Sequence, residues 1–351
     1  LSRRRVRARR GFFAAAAAAA LALPSSTTEA PARPPLASFV GWTSDLADSP
    51  AAVYTVRANG RGLRKLFQLD RTAALPVWSP DGRRLAQGTR DGLRLLDPAG
   101  RTVRTLTHSV FDHDPDWSPD GRWIAFLRTI ESRSYLFAVR PDGSGLHQLT
   151  HALRRIDGFE WAPDSRSLLV QWSYAGEPRL GVIGPSGALS VLQVSSCPSG
   201  ATWSPDGRSI AFAAGCRATT RIAVEELATG RVRLLTRSDG TYADGGPDWS
   251  PDGRRIAFSR FYSQGSLEPA LLMIVRRDGS ELRALEDFGA SPGYDEEALW
   301  SPDGRYLLFA RDSAVEPNGE YVQLGALNMA TLEEEILYEP MFGGTQTWLP
   351  R

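Results

Sequence analysis

Trp78-Ser79-Pro80-Asp81-Gly82 decides the fold, because it returns. The same five letters stand at Trp117, Trp203, Trp249 and Trp300. Trp161-Ala162-Pro163-Asp164-Ser165 is a weaker copy, and Trp348-Leu349-Pro350 a truncated one. Trp78 to Trp348 is 270 residues in six intervals, about 45 residues each, which is the length of one four-stranded propeller blade. Each copy makes physical sense as a strand, a tight turn and a second strand. Proline presets φ, aspartate bonds to the local backbone, and glycine accepts a left-handed conformation. The strand that follows is continuously apolar in several copies, as in Ile124-Ala125-Phe126-Leu127. Such a strand is covered on both faces, here by neighbouring blades. Asn59-Gly60, Asp142-Gly143 and Asp278-Gly279 then mark a second hairpin. The fourth strand tends to close with Leu-Thr, at Leu106-Thr107, Leu149-Thr150 and Leu235-Thr236.

These repeats resemble those of the TolB family, relatives in shape of the WD-type repeat. The resemblance covers Leu36 to the C-terminus and implies a propeller. TolB itself has an α/β domain before its propeller. Here the expected preceding segments are only an export signal and a short linker, so the resemblance does not extend to the TolB role in envelope assembly.

The fold class is therefore all-β, a seven-bladed β-propeller of four-stranded antiparallel blades. Phe39-Val40-Gly41-Trp42, Ala52-Val53-Tyr54-Thr55-Val56 and Leu63-Arg64-Lys65-Leu66-Phe67 read as the second, third and fourth strands of a first blade that lacks its inner strand. Thr345-Gln346-Thr347-Trp348 has inner-strand letters and no blade of its own. The C-terminal strand is expected to complete the N-terminal blade, which removes an exposed sheet edge. Six blades and a tail are the alternative.

Hydrophobic residues are 42% and charged residues 23% of the 351, enough apolar material for a real core. Residues 1–32 read as an export signal, 33–35 as a linker and 36–351 as a single propeller domain. Arg3, Arg4, Arg5, Arg7, Arg9 and Arg10 form a basic head, Phe12 to Leu23 an apolar run, and Ala30-Pro31-Ala32 a small-residue cleavage site. Arg9-Arg10-Gly11-Phe12-Phe13 also resembles a twin-arginine signal. The run is too short for a permanent membrane span, which needs about 20 residues. The expected location is periplasmic, cell-surface or secreted. Removing the six head arginines takes the formal charge from +1 to −5, a poor balance for binding nucleic acid. The chain is expected to act as a monomer.

Cys197 and Cys216 are the only cysteines. Pro205 and Arg208 flank the Trp203 turn, and each cysteine lies eight residues further out along its strand. Equal offsets place residues opposite one another in an antiparallel hairpin. In an oxidising compartment this predicts a Cys197–Cys216 disulfide. Two reduced, buried thiols are the alternative.

Connections from each outer strand to the next inner strand cross one face toward the axis, so residues just before each Trp should ring a channel mouth. They include Asp112, His113 and Asp114, Asp157, Asp244, and Asp295, Glu296 and Glu297. Ala73, Ala74, Pro198, Ser199, Gly343 and Gly344 fill the remaining positions. Clustered carboxylates suit a channel-bound cation, an amine or a basic peptide; ordinary solvated loop charges are the competing account. No other cofactor is expected. The motif tryptophans read as packing residues and the motif aspartates as turn residues. Trp42, Trp123 and Trp172 lie outside the motif and are the tryptophans available for a ligand, against a simpler expectation of burial. No G-x-S-x-G elbow is present, and the histidines are His108, His113, His147 and His151. Function is read as a non-catalytic scaffold that binds a protein or peptide through its loop face and acidic mouth. The alternative is a metal-assisted carbohydrate-active enzyme, a lyase or hydrolase, using His113 with nearby carboxylates.

Overall fold

The structure is a computed structural model. It describes residues 35–41, 52–69, 76–150, 153, 155–184, 186–192, 197–216, 219–262, 271–287, 298–316, 319–341 and 346–349. They form 28 strands in seven four-stranded antiparallel sheets, the blades of a propeller. Blade 2 runs from β4 (Val77–Trp78) to β7 (Thr102–Thr105), and blade 3 from β8 (Asp112–Trp117) through β9 (Ile124–Ile130) and β10 (Arg133–Val139) to β11 (His147–Gln148). Blade 4 opens with β12 (Ile156–Trp161) and β13 (Leu168–Tyr174), and blade 5 with β16 (Ser199–Trp203) and β17 (Ser209–Ala214). Blade 6 opens with β20 (Tyr242–Trp249) and β21 (Arg255–Tyr262), and blade 7 with β24 (Leu299–Trp300).

Blade 1 closes the ring as expected. β28 (Gln346–Trp348) pairs with β1 (Leu36–Gly41), in the register Ala37↔Trp348 and Phe39↔Gln346. The blade thus joins strands about 300 residues apart in sequence, and β1 keeps no open inner edge.

The repeated turn behaves as its letters require. The Ser118 hydroxyl donates to Asp120 Oδ1 over 2.7 Å, the Arg122 amide donates to the same oxygen, and the Trp123 amide donates to Ser118 Oγ. Ser250 with Asp252 and Ser204 with Asp206 repeat the bond at 2.6 Å. Gly121 holds φ at 69°; in the weaker copy Ser165 takes that role at 58°, a conformation glycine adopts without the Cβ penalty. The Leu-Thr endings also have a function in the fold. Thr107, Thr150 and Thr236 Oγ1 accept the amides of Leu93, Leu136 and Ile222 on the third strand, sealing the outer strand where its ladder ends.

The core lies between blades. Trp117 packs with Leu93 and Leu95 of blade 2 and with Phe126 of its own blade. Phe126, Phe212, Phe258 and Phe309, each nine residues after a motif Trp, are fully buried. Fully burying a side chain of this kind contributes roughly 1.5–3 kcal/mol. Of the tryptophans outside the motif, Trp172 is buried, Trp123 is half-buried under Arg140, and Trp42 lies outside the described residues.

Candidate functional site: entrance face and channel interior

Each inner strand runs from the entrance face toward its Trp. In blades 3 to 6 its ladder is broken once by a bulge, between His113/Asp116, Ile156/Gly158, Ser199/Thr202 and Gly245/Asp248. A bulge bends the strand and re-aims what precedes it. The segment before the bulge belongs to the entrance face, and the residue directly before the Trp belongs to the interior.

At the entrance face the sequence-predicted acids meet different fates. Asp112 accepts from Arg128 Nε at 2.5 Å and Nη2 at 2.8 Å, and its side chain has no exposed surface. Asp244 repeats this with Arg260 at 2.7 and 3.1 Å. Both pairs are also cross-strand register neighbours. Arg128 lies 4.6 Å over the Phe137 ring and Arg260 3.9 Å over the Tyr242 ring, so the cations are held between a carboxylate and an aromatic face. In blade 4 the Ser173 hydroxyl donates to Asp157 over 2.5 Å, and Arg155 lies 3.7 Å from it. In blade 5 the same end carries the Cys197–Cys216 disulfide, with Cα atoms 5.2 Å apart. The expected pairing holds, though not in the expected ladder. Thr202↔Ala211 and Trp203↔Ile210 follow the symmetric register, and the bulge shifts it to Ser199↔Ala213. Four successive blades thus staple the start of their inner hairpin by an ion pair, a hydrogen bond, a disulfide and an ion pair.

His113 is half-buried; its Nε2 lies 3.1 Å from Thr129 Oγ1 and its Nδ1 3.0 Å from Asp114. Asp114 is exposed. Asp295, Glu296, Glu297 and His151 lie outside the described residues; His108 is exposed, and His147 packs edge-on against Trp123. Among the described residues no three His, Cys, Asp or Glu side chains come together in a way that could hold a metal ion.

The same face carries exposed apolar residues over blades 3 and 4. Phe111 is 58% and Tyr174 70% exposed, with Val110 and Ile130 also out. Backbone bonds join the strand ends next to them. The Thr129 amide donates to Phe111 O, Ser134 bridges Arg155, and the Ser173 amide donates to Arg155 O.

The channel interior holds residues that the sequence reading passed over. Asp116, Glu160 and Asp248 directly precede the Trp of blades 3, 4 and 6, and all three are buried. Asp248 caps a neighbouring blade by accepting the Trp300 amide at 2.7 Å, and the Trp161 indole Nε1 donates to the Asp116 backbone carbonyl at 3.2 Å. An inner strand has no partner on its axial side, so its amides need acceptors. Thr202, at the equivalent position of blade 5, lies 3.3 Å from Glu160 Oε1. Burial pushes Asp116 and Asp248 up to about 7. Burial, then the charges of Asp116 and Asp248, push Glu160 well above the carboxylate range. The available signal was a charged residue at a position where a buried strand should be apolar.

Among the described residues no helix is long and apolar enough to cross a membrane. The fold and turns define a seven-bladed propeller with W-S-P-D-G repeats. The propeller is TolB-like. No family model matches the chain. A TolB homolog of Chlorobium luteolum is 27% identical over 136 residues, which is 37% of this chain and 31% of that protein. An uncharacterized protein of Agrobacterium fabrum is 32% identical over 105 residues, 28% of this chain and 36% of that protein. The matched stretch is thus about a third of the length of these curated relatives. Among solved structures, TolB from Acinetobacter baumannii superposes with a TM-score of 0.55 at 16% identity, covering 89% of this chain and 82% of that one. An oligogalacturonate lyase in complex with manganese superposes with a TM-score of 0.62 at 17% identity, covering 84% and 83%. Likeness at these identities is likeness of fold.

Proposed function

We propose that this propeller is an exported, non-catalytic scaffold that binds a protein or peptide on its entrance face, over blades 3 and 4. The observation that carries the reading is the exposed rim of Val110, Phe111, Ile130 and Tyr174. Solvated loops seldom gather large apolar side chains unless something covers them. Backbone bonds, the Asp112–Arg128 ion pair and the Ser173–Asp157 hydrogen bond hold the strand ends next to these residues, which lowers the cost of ordering them on binding. Asp114, exposed beside it, offers a carboxylate to a basic group on the partner. Export is supported by the basic-then-apolar N-terminal letters and by a disulfide, which persists in an oxidising compartment.

The test is capture from the source organism's extracytoplasmic fraction, beside a Phe111→Ala/Tyr174→Ala double variant. A protein retained by the native chain and lost from the variant, with thermal unfolding unchanged, supports the rim. Equal capture by both would remove it. The metal-assisted alternative is supported by the manganese-bound lyase among the fold neighbours. Chelation separates the two, since a protein interaction on this rim should survive it.

A further inference from the structure

We propose that the face opposite the entrance carries a ring of arginines that docks the propeller on an anionic lipid surface, with guanidiniums against headgroup phosphates. Each W-S-P-D-G turn, and the weaker copy, is followed by one: Arg83, Arg122, Arg166, Arg208, Arg254 and Arg305, on blades 2 to 7. All six are exposed. Contacts between successive turns bring them onto one surface. The Pro80 ring lies 3.9 Å from where a Cβ on Gly121 would stand, and the Asp120 amide donates to Ser165 Oγ at 3.0 Å. Pro163 meets Gly207, Pro205 meets Gly253 and Pro251 meets Gly304 in the same way as Pro80 meets Gly121, at 3.9, 3.8 and 3.7 Å. The chain of turns is therefore unbroken from blade 2 to blade 7.

On this surface the arginines stand outside the aspartates. In all six turns the aspartate Oδ1 accepts the arginine's own backbone amide, which holds the carboxylate against the chain. The Arg122 side chain is 82% exposed against 37% for Asp120, and Arg305 43% against 6% for Asp303. Those two guanidiniums return to their own aspartates, at 3.8 and 2.8 Å. Asp206, in the turn of Arg208, pairs instead with Arg277 of blade 6 at 3.1 Å. Among the described residues Arg83, Arg166, Arg208 and Arg254 enter no ion pair, so their charges are left for a ligand. On the outer hairpins of the same face, Asp97 and Glu281 are matched by Arg101 and Arg276. None of the exposed large apolar side chains lies in these turns, so the face holds neither an anchor for the bilayer interior nor an aromatic platform for stacking. A guanidinium pairs with a phosphate through two parallel hydrogen bonds. Six turns of equal length can each meet one at the same time only on a flat array of phosphates, which is what a bilayer surface presents. Binding held by charge alone is reversible and weakens with salt. It turns the entrance face away from the membrane.

The experiment is sedimentation of the full chain with vesicles of mixed phosphatidylcholine and phosphatidylglycerol, and with vesicles of phosphatidylcholine alone. The native chain is compared with Arg83→Gln/Arg166→Gln/Arg208→Gln/Arg254→Gln. A control, Arg90→Gln/Arg133→Gln/Arg179→Gln/Arg237→Gln, removes the same charge elsewhere. All three carry the same N-terminal arginines, so differences between them read the folded domain. One arginine near an anionic surface contributes about a fivefold factor in partition. The ring variant should lose more than about tenfold in affinity for the phosphatidylglycerol vesicles, and the control less than about threefold. Thermal unfolding of the three should coincide, because the replaced side chains are exposed. Should the ring variant unfold early, the four single replacements decide, each lowering affinity by about two- to fivefold. No binding by the native chain, equal binding to phosphatidylcholine alone, or equal loss in ring variant and control overturns the proposal. Competition by inorganic phosphate at matched ionic strength also overturns it, since the turns would then bind single anions.

Discussion

Asp112 and Asp116 stand four residues apart on one strand, and Asp244 and Asp248 repeat the spacing three blades away. All four are buried. The outer member of each couple meets an arginine with two short bonds; of the inner members, Asp248 accepts the Trp300 amide and Asp116 leaves Oδ2 without a hydrogen-bond partner. The outer pair is a closed electrostatic unit. The inner set is an uncompensated one that burial drives toward the neutral form. The same residue type on the same strand therefore does opposite work, and a single bulge separates the two environments. What surrounds a carboxylate, more than its burial, sets its charge.

The comparison breaks most visibly at the outer pair. Asp244→Ala leaves the Arg260 guanidinium buried without its counter-ion, and should cost about 3–5 kcal/mol in denaturant unfolding at pH 7. If the cost were below 1 kcal/mol, the pair would be a surface contact in all but geometry. Blade 5 offers the covalent version of the same staple. Replacing Cys197 and Cys216 by Ser should cost about 3 kcal/mol, by the loop-closure estimate for a separation of 19. Thiol titration of the denatured, unreduced chain should find no free thiol. The inner set should respond with the other sign. Asp248→Asn keeps an oxygen for the Trp300 amide and removes the charge, so it should gain about 2 kcal/mol at pH 8 and nothing at pH 4. A loss at pH 8 would mean that the carboxylate itself is required. The smallest effect on stability belongs to the rim. Phe111→Ala and Tyr174→Ala should each stay within about 0.5 kcal/mol, while partner capture falls.

Much of this is legible in the sequence alone. Trp78-Ser79-Pro80-Asp81-Gly82 and its copies carry their own turn chemistry, so blade number and spacing could be read locally. Thr345–Trp348 was recognisable as an inner strand without a blade, and ring closure followed. The cysteine pairing was reachable from offsets about the Trp203 turn, although the bulge that displaces the ladder was not. Asp112 and Asp244 were expected as acids of the channel mouth, and in the structure each is buried against an arginine sixteen residues on. That partner is invisible to a reading that follows the loop, because it arrives from the next strand. Asp116, Glu160 and Asp248 went unmarked, because an acid before a turn resembles any other loop charge.

The sequence by itself determined the blades, their number, the way the ring closes and which cysteines can meet, because turns and hairpin offsets act over a few residues. Only the tertiary structure decided which acids are paired with an arginine and which are buried without one. That depends on the arginine each hairpin brings opposite Asp112 and Asp244, and on the burial of Asp116, Glu160 and Asp248. Coulomb interactions and desolvation act through space, and no local pattern of letters records the distance.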